Sequence, residues 1–296
     1  MNNIKETKII ILALFSILSM SCVASDLLHR ETIKKTGFNP ARHLIFIGFD
    51  GWGASYVNKA NMPTVKRMIS NGSSSTKARS VMPSNSWPNW TSLFMGTPPE
   101  IQTNNTLSIF SVVNESLSTF QEDLETKPVL FFEWKDLYNI CPGDTAIKQQ
   151  ISSDYISAYK IASYISAKRP VFTAIVFGEP DTTGHINGWG SKAYYDKLAL
   201  LDNFVAIIEQ AVKDSGIYDS TVFVFSSDHG GSFKGHGLNT SKHRKIPLVF
   251  CGNCIKKGYI IPFPADICDI APSIATILGL KIPQEWTGKP IFEIFD

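Results

Sequence analysis

At 296 residues with 44% hydrophobic side chains, the chain is long enough to bury a full core and reads as globular. Its 28 basic and 26 acidic residues leave a formal net charge of +2. That near-balance excludes bulk attraction to nucleic acid, so any affinity for a small anion must come from local groups.

From the amino terminus, Lys5 and Lys8 precede the apolar run IIILALFSILSM and then the small residues Ser21, Cys22, Ala24 and Ser25. This is the pattern of a secretory signal over residues 1–24, and the run is short for a bilayer span. Cleavage after Ala24 would release a secreted or periplasmic chain of residues 25–296. The stretch LSMSC also resembles a lipoprotein box, in which Cys22 would carry a lipid anchor.

The rest alternates two kinds of segment. HLIFIGFD, PVLFFEW, PVFTAIVFGEPD, TVFVFSSDHG and IPLVFCG are short, nearly continuous apolar runs rich in Val, Ile and Phe, as expected of strands covered on both faces. MPTVKRMIS, SAYKIASYISA and YYDKLALLDNFVAIIEQAVKDSG carry helical spacing; in the last, Leu198, Leu201, Val205 and Ile208 recur at three to four residues. In MPSNSWPNWTSLFMGTPPE the prolines predict a turn, a helix beginning at Pro88 and a stop at Gly96. Strand alternating with helix predicts an α/β/α sandwich on a mainly parallel sheet, and no linker or internal repeat divides residues 25–296. In CGNC, Cys251 and Cys254 have the gap of a zinc knuckle or redox pair, but no second pair follows. A disulfide among Cys251, Cys254 and Cys268 stays open, and Cys141 has no motif.

Ligands of such sheets bind beyond the carboxyl ends of the strands. Asp50 ends the first strand, Asp181 and His185 follow a later one, and Asp228 with His229 follows TVFVFSS, so separate strands deliver acids and imidazoles to one edge. A lone aspartate there is ordinarily a turn residue or a cap. Three carboxylates without a neighbouring Lys or Arg, however, repel one another unless a dication sits among them, and mixed carboxylate and imidazole ligation fits zinc or a similar metal. Ser86 stands just ahead of the helix, where it either caps it or faces an anion at the helix start. No Gly-x-Ser-x-Gly signature is present, so a serine nucleophile would need metal activation. Both His236 and His243 follow SDHGG. His243 lies among Lys242, Arg244 and Lys245, which reads as a solvated cationic face, whereas His236 lies between Gly235 and Gly237 and is free to approach a metal.

The set FIGFDGWG, PSNSWPNWTSLFMG, EPDTTGH, SSDHGG and GHG, in this order, resembles the alkaline phosphatase superfamily, in its nucleotide pyrophosphatase/phosphodiesterase-like branch. The likeness runs over roughly residues 43 to 292, including the tail DIAPSIATILGLKIPQEWTGKPI. It implies an alkaline-phosphatase-like fold and two divalent metal ions, zinc by preference. Asp181, His185 and His236 would hold one; Asp50, Asp228, His229 and the Ser86 oxygen would hold the other. It further implies Ser86 as nucleophile, Asn89 as hydrogen-bond donor to a phosphoryl oxygen, and a small phosphoester as substrate. The four glycines of the DHGGSFKGHG stretch would let the chain turn so that both histidines reach the metals.

Two departures matter. Ile101-Gln102-Thr103 follows TPPE, where members often carry His-Gly, and no Cys/Ser-x-Pro-x-Arg sulfatase nucleophile is visible. No arginine follows Ser86 closely, and Arg79 is the nearest upstream, so a dianionic monoester lacks an evident guanidinium clamp and diesters are expected to be preferred. The competing readings are a phosphomonoesterase, phosphonate hydrolase or phosphoryl transferase on the same metals, and a non-enzymatic metal-binding surface lipoprotein. The oligomeric state is left open.

Overall fold

The computed structural model describes residues 40–117 and 127–295. The signal-peptide and Cys22 readings fall outside them. Its strands are β1 (His43–Phe49), β2 (Gly72–Arg79), β3 (Val129–Phe132), β4 (Ile147–Gln150), β5 (Phe172–Phe177), β6 (Thr221–Ser226), β7 (Lys245–Gly252) and β8 (Tyr259–Ile260). They form one 8-stranded sheet in the order β4-β3-β5-β1-β6-β7-β2-β8.

Every residue of β1, β5 and β6 is buried, so these strands sit in the middle of the sheet, covered on both faces. β1 pairs in parallel with β5 and β6, and β3 with β4 and β5. The remaining edge departs from the parallel pattern: β7 runs antiparallel to both β6 and β2. This reversal has a consequence for the functional edge. β7 begins, and β2 ends, where β1, β5 and β6 end.

The main helices are α1 (Pro63–Ser70), α2 (Ser86–Met95), α3 (Ile109–Glu115), α4 (Tyr155–Lys168), α5 (Asp181–Asn187), α6 (Lys192–Asp214), α7 (Ser241–Arg244) and α8 (Ile270–Ile277). Alternation along β1 sorts them into two layers. Ile45, Ile47 and Phe49 share a core with Val65 and Met68 of α1, Ile161 and Ile165 of α4, and Leu201, Val205 and Ile208 of α6. Phe46 points the other way, edge-on to Trp90 and Phe94 of α2, and Phe94 continues the contact to Phe110 of α3. α8 is buried along its whole length. No disulfide joins Cys141, Cys251, Cys254 and Cys268.

β2 has no sequence signal because GSSSTKAR contains one apolar residue. Its serines are nonetheless buried between β7 and β8, with Ser73 donating its hydroxyl to the Lys256 carbonyl at 3.0 Å. Backbone pairing and small volume, rather than hydrophobicity, make this a strand.

Candidate active site

Each element ends where its polar residue is wanted. Asp50 directly follows β1 and is held by Trp90 Nε1, which donates to Oδ2 at 3.0 Å. Trp90 can lie there because Gly48 has no side chain: a Cβ would stand 2.5 Å from the indole. Asp181 is the first residue of α5, which places His185 one turn further on the same helix face, with Nε2 3.4 Å from Asp181 Oδ2. Asp228 follows β6 and accepts the Gly51 N–H at 3.0 Å on Oδ1, leaving Oδ2 for the site. Ser86 is itself the first residue of α2, and Asn85 holds the N-cap position. The helix therefore begins two residues earlier than the Pro88 signal indicates, and the serine is inside it rather than its cap. Its Oγ lies 3.3 Å from Asp50 Oδ1 and 3.2 Å from His229 Nε2.

The loop after β6 returns His236 to the same place. At Gly230 a Cβ would fall 2.3 Å from the Lys242 carbonyl oxygen, and Gly237 has φ +97°, so neither position accommodates another residue without strain. Gly235 has open space around it and is not required for the turn. His236 stacks on His229 with ring centroids 3.8 Å apart. His243 stays away from the site, as expected, but it is not on a solvated face. It is buried, with Nε2 2.8 Å from Ser232 Oγ and Nδ1 accepting the Leu238 N–H at 3.1 Å, so it ties the loop together.

The three site histidines share one tautomer. Nδ1 of His185, His229 and His236 each meets a backbone carbonyl at 3.0 Å, of Lys234, Gly230 and Ser84 respectively. A carbonyl only accepts, so each Nδ1 carries the proton and each Nε2 turns a lone pair inward. His185 Nε2 and His236 Nε2 are 3.1 Å apart. His229 Nε2 is 3.2 Å from Asp228 Oδ2 and 3.5 Å from Asp50 Oδ1. Asp181 stands between the two sets, with Oδ1 3.7 Å from His236 Nε2 and 4.0 Å from His229 Nε2.

These are acceptors facing acceptors. Asp181 Oδ1 and Asp228 Oδ2 are buried with no hydrogen-bond partner. Burial, followed by the charge of Asp50, pushes the Asp181 carboxyl up to about 8, and burial pushes Asp228 up to about 7. Burial and the neighbouring Asp228 charge also raise Asp50 well above the carboxylate range. Burial holds His229 below its ordinary value and lowers His236 to about 3. Inward lone pairs, orphaned carboxylate oxygens and the absence of a Lys or Arg ion-pair partner among the described residues are what a metal site requires. Two groups, Asp181 with His185 and His236, and Asp50 with Asp181 and His229, each offer ligand atoms within 4.8 Å of one another and could hold a metal ion.

Asn89 corrects the expectation placed on it. It is fully buried, its Oδ1 accepts the Val81 N–H at 2.7 Å, and its Nδ2 donates to the carbonyls of Pro83 and Asn85 at 3.1 and 2.9 Å. Its hydrogen-bonding capacity is spent on the loop that carries Ser86, leaving nothing for a phosphoryl oxygen. Asn89→Ala is therefore expected to destabilise the fold by about 1–3 kcal/mol, the cost of leaving buried partners unsatisfied. Urea unfolding checks this; an unchanged midpoint with a hundredfold fall in kcat would return Asn89 to the substrate. The residues that do stand beside the hydroxyl are its sequence neighbours. Asn85 is exposed and its Oδ1 lies where a Cβ of Gly237 would come within 2.7 Å, and Trp87 is 40% exposed, edge-on to Trp134 at 6.2 Å. Nothing in composition separates them from ordinary turn and helix residues.

The family profile described as type I phosphodiesterase / nucleotide pyrophosphatase matches residues 44–102 and 111–238. The chain belongs to this family. Among its relatives, it is 24% identical over 264 residues to the bis(5'-adenosyl)-triphosphatase enpp4 of Mus musculus, covering 79% of this chain and 55% of that protein. It is 27% identical over 154 residues to the 2,3-bisphosphoglycerate-independent phosphoglycerate mutase of Cronobacter sakazakii, covering 49% of this chain and 28% of that one. The chain thus spans about half the length of the first and about a quarter of the second. In fold it is similar to murine ectonucleotide pyrophosphatase/phosphodiesterase 5 in complex with AMP, with a TM-score of 0.68 at 12% identity over 86% of this chain and all of that one. It is likewise similar to a phosphonate monoester hydrolase from Silicibacter pomeroyi, with a TM-score of 0.63 at 12% identity over 84% of this chain and 75% of that one.

Proposed function

We propose that the chain is an exported, zinc-dependent phosphodiesterase that uses Ser86 as its nucleophile. The observation that carries this reading is the convergence of three inward Nε2 lone pairs and two orphaned carboxylate oxygens beside a hydroxyl at a helix start. Asp181, His185 and His236 would hold one ion; Asp50, Asp228 and His229, with Ser86 Oγ, would hold the second. Two divalent cations there supply the positive charge that acidifies a hydroxyl and offsets charge on phosphoryl oxygens. Export is supported by the signal pattern of residues 1–24.

The chain's own groups do the rest. Ser86 Oγ attacks phosphorus, the Oγ–P bond forming as the bond to the leaving alkoxide breaks. With His229 Nε2 given to the ion, Asp50 Oδ1, 3.3 Å from Oγ and with a second lone pair to spare, is the acceptor within reach of its proton. Water then attacks the same phosphorus, returns a proton to Oγ and releases the monoester. In the first turn of α2 only Ser86 and Trp87 carry an N–H without an acceptor in the helix, since Pro88 has none and that of Asn89 goes to the Asn85 carbonyl, and these two would favour charge developing beside the hydroxyl. The exposed Trp87, next to Ser86 in the chain and edge-on to Trp134, offers an aromatic ring on which a planar group such as a nucleobase could stack.

A panel of bis(nitrophenyl) phosphate, nitrophenyl thymidine monophosphate, nitrophenyl phosphate and nitrophenyl sulfate tests the assignment. We expect kcat/KM for the better diester to exceed that for nitrophenyl phosphate by at least about tenfold, roughly 1.4 kcal/mol. The reason is that, among the described residues, no guanidinium is bonded to the site: Arg244 Nε and Nη2 are both bound to the Ser80 carbonyl. A monoester preferred over every diester would make the protein a phosphomonoesterase.

A further inference from the structure

Next to the metal-binding edge lies a second site of opposite character. Arg79 ends β2, Lys245 begins β7 and Arg244 precedes it, so the strand reversal brings three cations to the edge where β1, β5 and β6 present their acids. With Asn239, Thr240 and Ser241 they line a cavity of about 200 Å³. No carboxylate lines it, and none of the three cations forms an ion pair among the described residues. Arg244 is fixed in place: Nε and Nη2 donate to the Ser80 carbonyl at 3.2 and 2.8 Å, and Nη1 donates to Asn239 Oδ1 at 3.1 Å. Asp266 lines the adjoining cavity, which Arg244 shares with Glu100 and Asp269, and one of its carboxylate oxygens accepts the Cys268 N–H at 3.0 Å.

Like charges collected around one cavity repel one another, and an immobilised guanidinium loses its freedom to seek solvent, so the arrangement favours an anion between them. The same loop connects it to the nucleophile. Gly237 pairs with Ser84, and Ser86 and Asn239 are each two residues from that pair, which limits their Cα separation to about 20 Å. We propose that Arg79, Arg244 and Lys245 form an anion subsite that takes a second, terminal phosphate on the substrate, so that the enzyme prefers phosphodiesters carrying a further anionic group over those without one. The substrate preference rests on the function proposed above; the binding of an anion here does not.

The test uses Arg79→Gln/Lys245→Gln, which keeps Arg244 and its hold on Ser80, with circular dichroism and melting to confirm the fold. In the metal-stripped full chain, calorimetry with inorganic pyrophosphate reads anion binding alone, and we expect at least a tenfold weaker Kd in the double variant. In the zinc-loaded chain, wild type should hydrolyse thymidine 3'-phosphate 5'-(nitrophenyl phosphate) with at least tenfold higher kcat/KM than nitrophenyl thymidine monophosphate. The double variant should lose that preference while keeping its rate on the latter. Equal pyrophosphate binding by both proteins, or an equal preference in both, overturns the subsite. Weakened pyrophosphate binding with neither ester hydrolysed by wild type would support the subsite and instead overturn the phosphodiesterase reading.

Discussion

Replacing Ser86 by alanine is expected to lower kcat for every phosphoester at least about 10³-fold, roughly 4 kcal/mol of barrier, and to leave the fold and both metal-binding groups in place. The hydroxyl is half-buried at the start of α2 and meets only Asp50 and His229, so removing it opens no core cavity. No neighbour can take over. Ser84 is fully buried with its hydroxyl on the Leu238 carbonyl, and Thr91 Oγ1 is bonded to the Pro88 carbonyl. Steady-state kinetics with zinc content measured on the same samples checks this. An alanine variant that kept more than about a tenth of wild-type kcat would remove Ser86 from the chemistry and leave the metals acting on water directly.

How far residues announce their own roles depends on whether a role needs a pattern. Central strands such as HLIFIGFD need continuous apolar side chains because both faces are covered, so β1, β5, β6 and β7 are legible. β2 is not, since backbone pairing and small volume rather than apolar side chains hold its serines in the sheet, and with it the reversal of β7 goes unseen. That reversal is what gathers Arg79, Arg244 and Lys245. Arg79 looks like a distant basic residue in the chain and stands at the functional edge in space.

The same distinction runs through the site. Strand-end acids and histidines are visible because ligands must lie where parallel strands stop, and the structure brings Asp50, Asp181, His185, Asp228, His229 and His236 together. What cannot be seen is direction. Asn89 lies three residues from Ser86 on the same helix, yet it faces inward to hold Val81, Pro83 and Asn85. His243, in a cationic run, is buried because its ring satisfies Ser232 and Leu238. In both, a local polar network overrides what the neighbouring residue types indicate.

Metal removal should change not only activity but the pH dependence of stability, with a sign the site dictates. Asp181, raised to about 8, Asp228, raised to about 7, and Asp50, raised well above its ordinary value, all hold protons more tightly folded than unfolded. Their contribution in the metal-free protein is complete below about pH 4, and it is lost as pH rises through about 7 to 8. The buried histidines act oppositely. His43, His229, His236 and His243 are all held below their ordinary value, so their contribution grows with pH and is complete once the unfolded chain has lost its imidazole protons, near pH 7. Between pH 7 and 9 the carboxylates are still changing, and the buried thiols of Cys141, Cys251 and Cys268, all raised by burial, add a loss of the same sign as the unfolded chain gives up its thiol protons, so the melting temperature of the chelated protein should fall across that window. A dication would bind the deprotonated carboxylates and neutral imidazoles, so the stabilisation given by added zinc should be greater at pH 8 than at pH 6. At a thousandfold excess over Kd it amounts to about 4 kcal/mol, or roughly 8–16 °C for a domain of this size. Activity should vanish with the metal and return on adding zinc back. Melting curves with and without chelator at pH 6, 7, 8 and 9 decide the matter. A metal-free protein whose melting temperature climbs through pH 9, with zinc adding nothing at pH 8, would mean that these carboxylates satisfy one another and that no dication belongs among them.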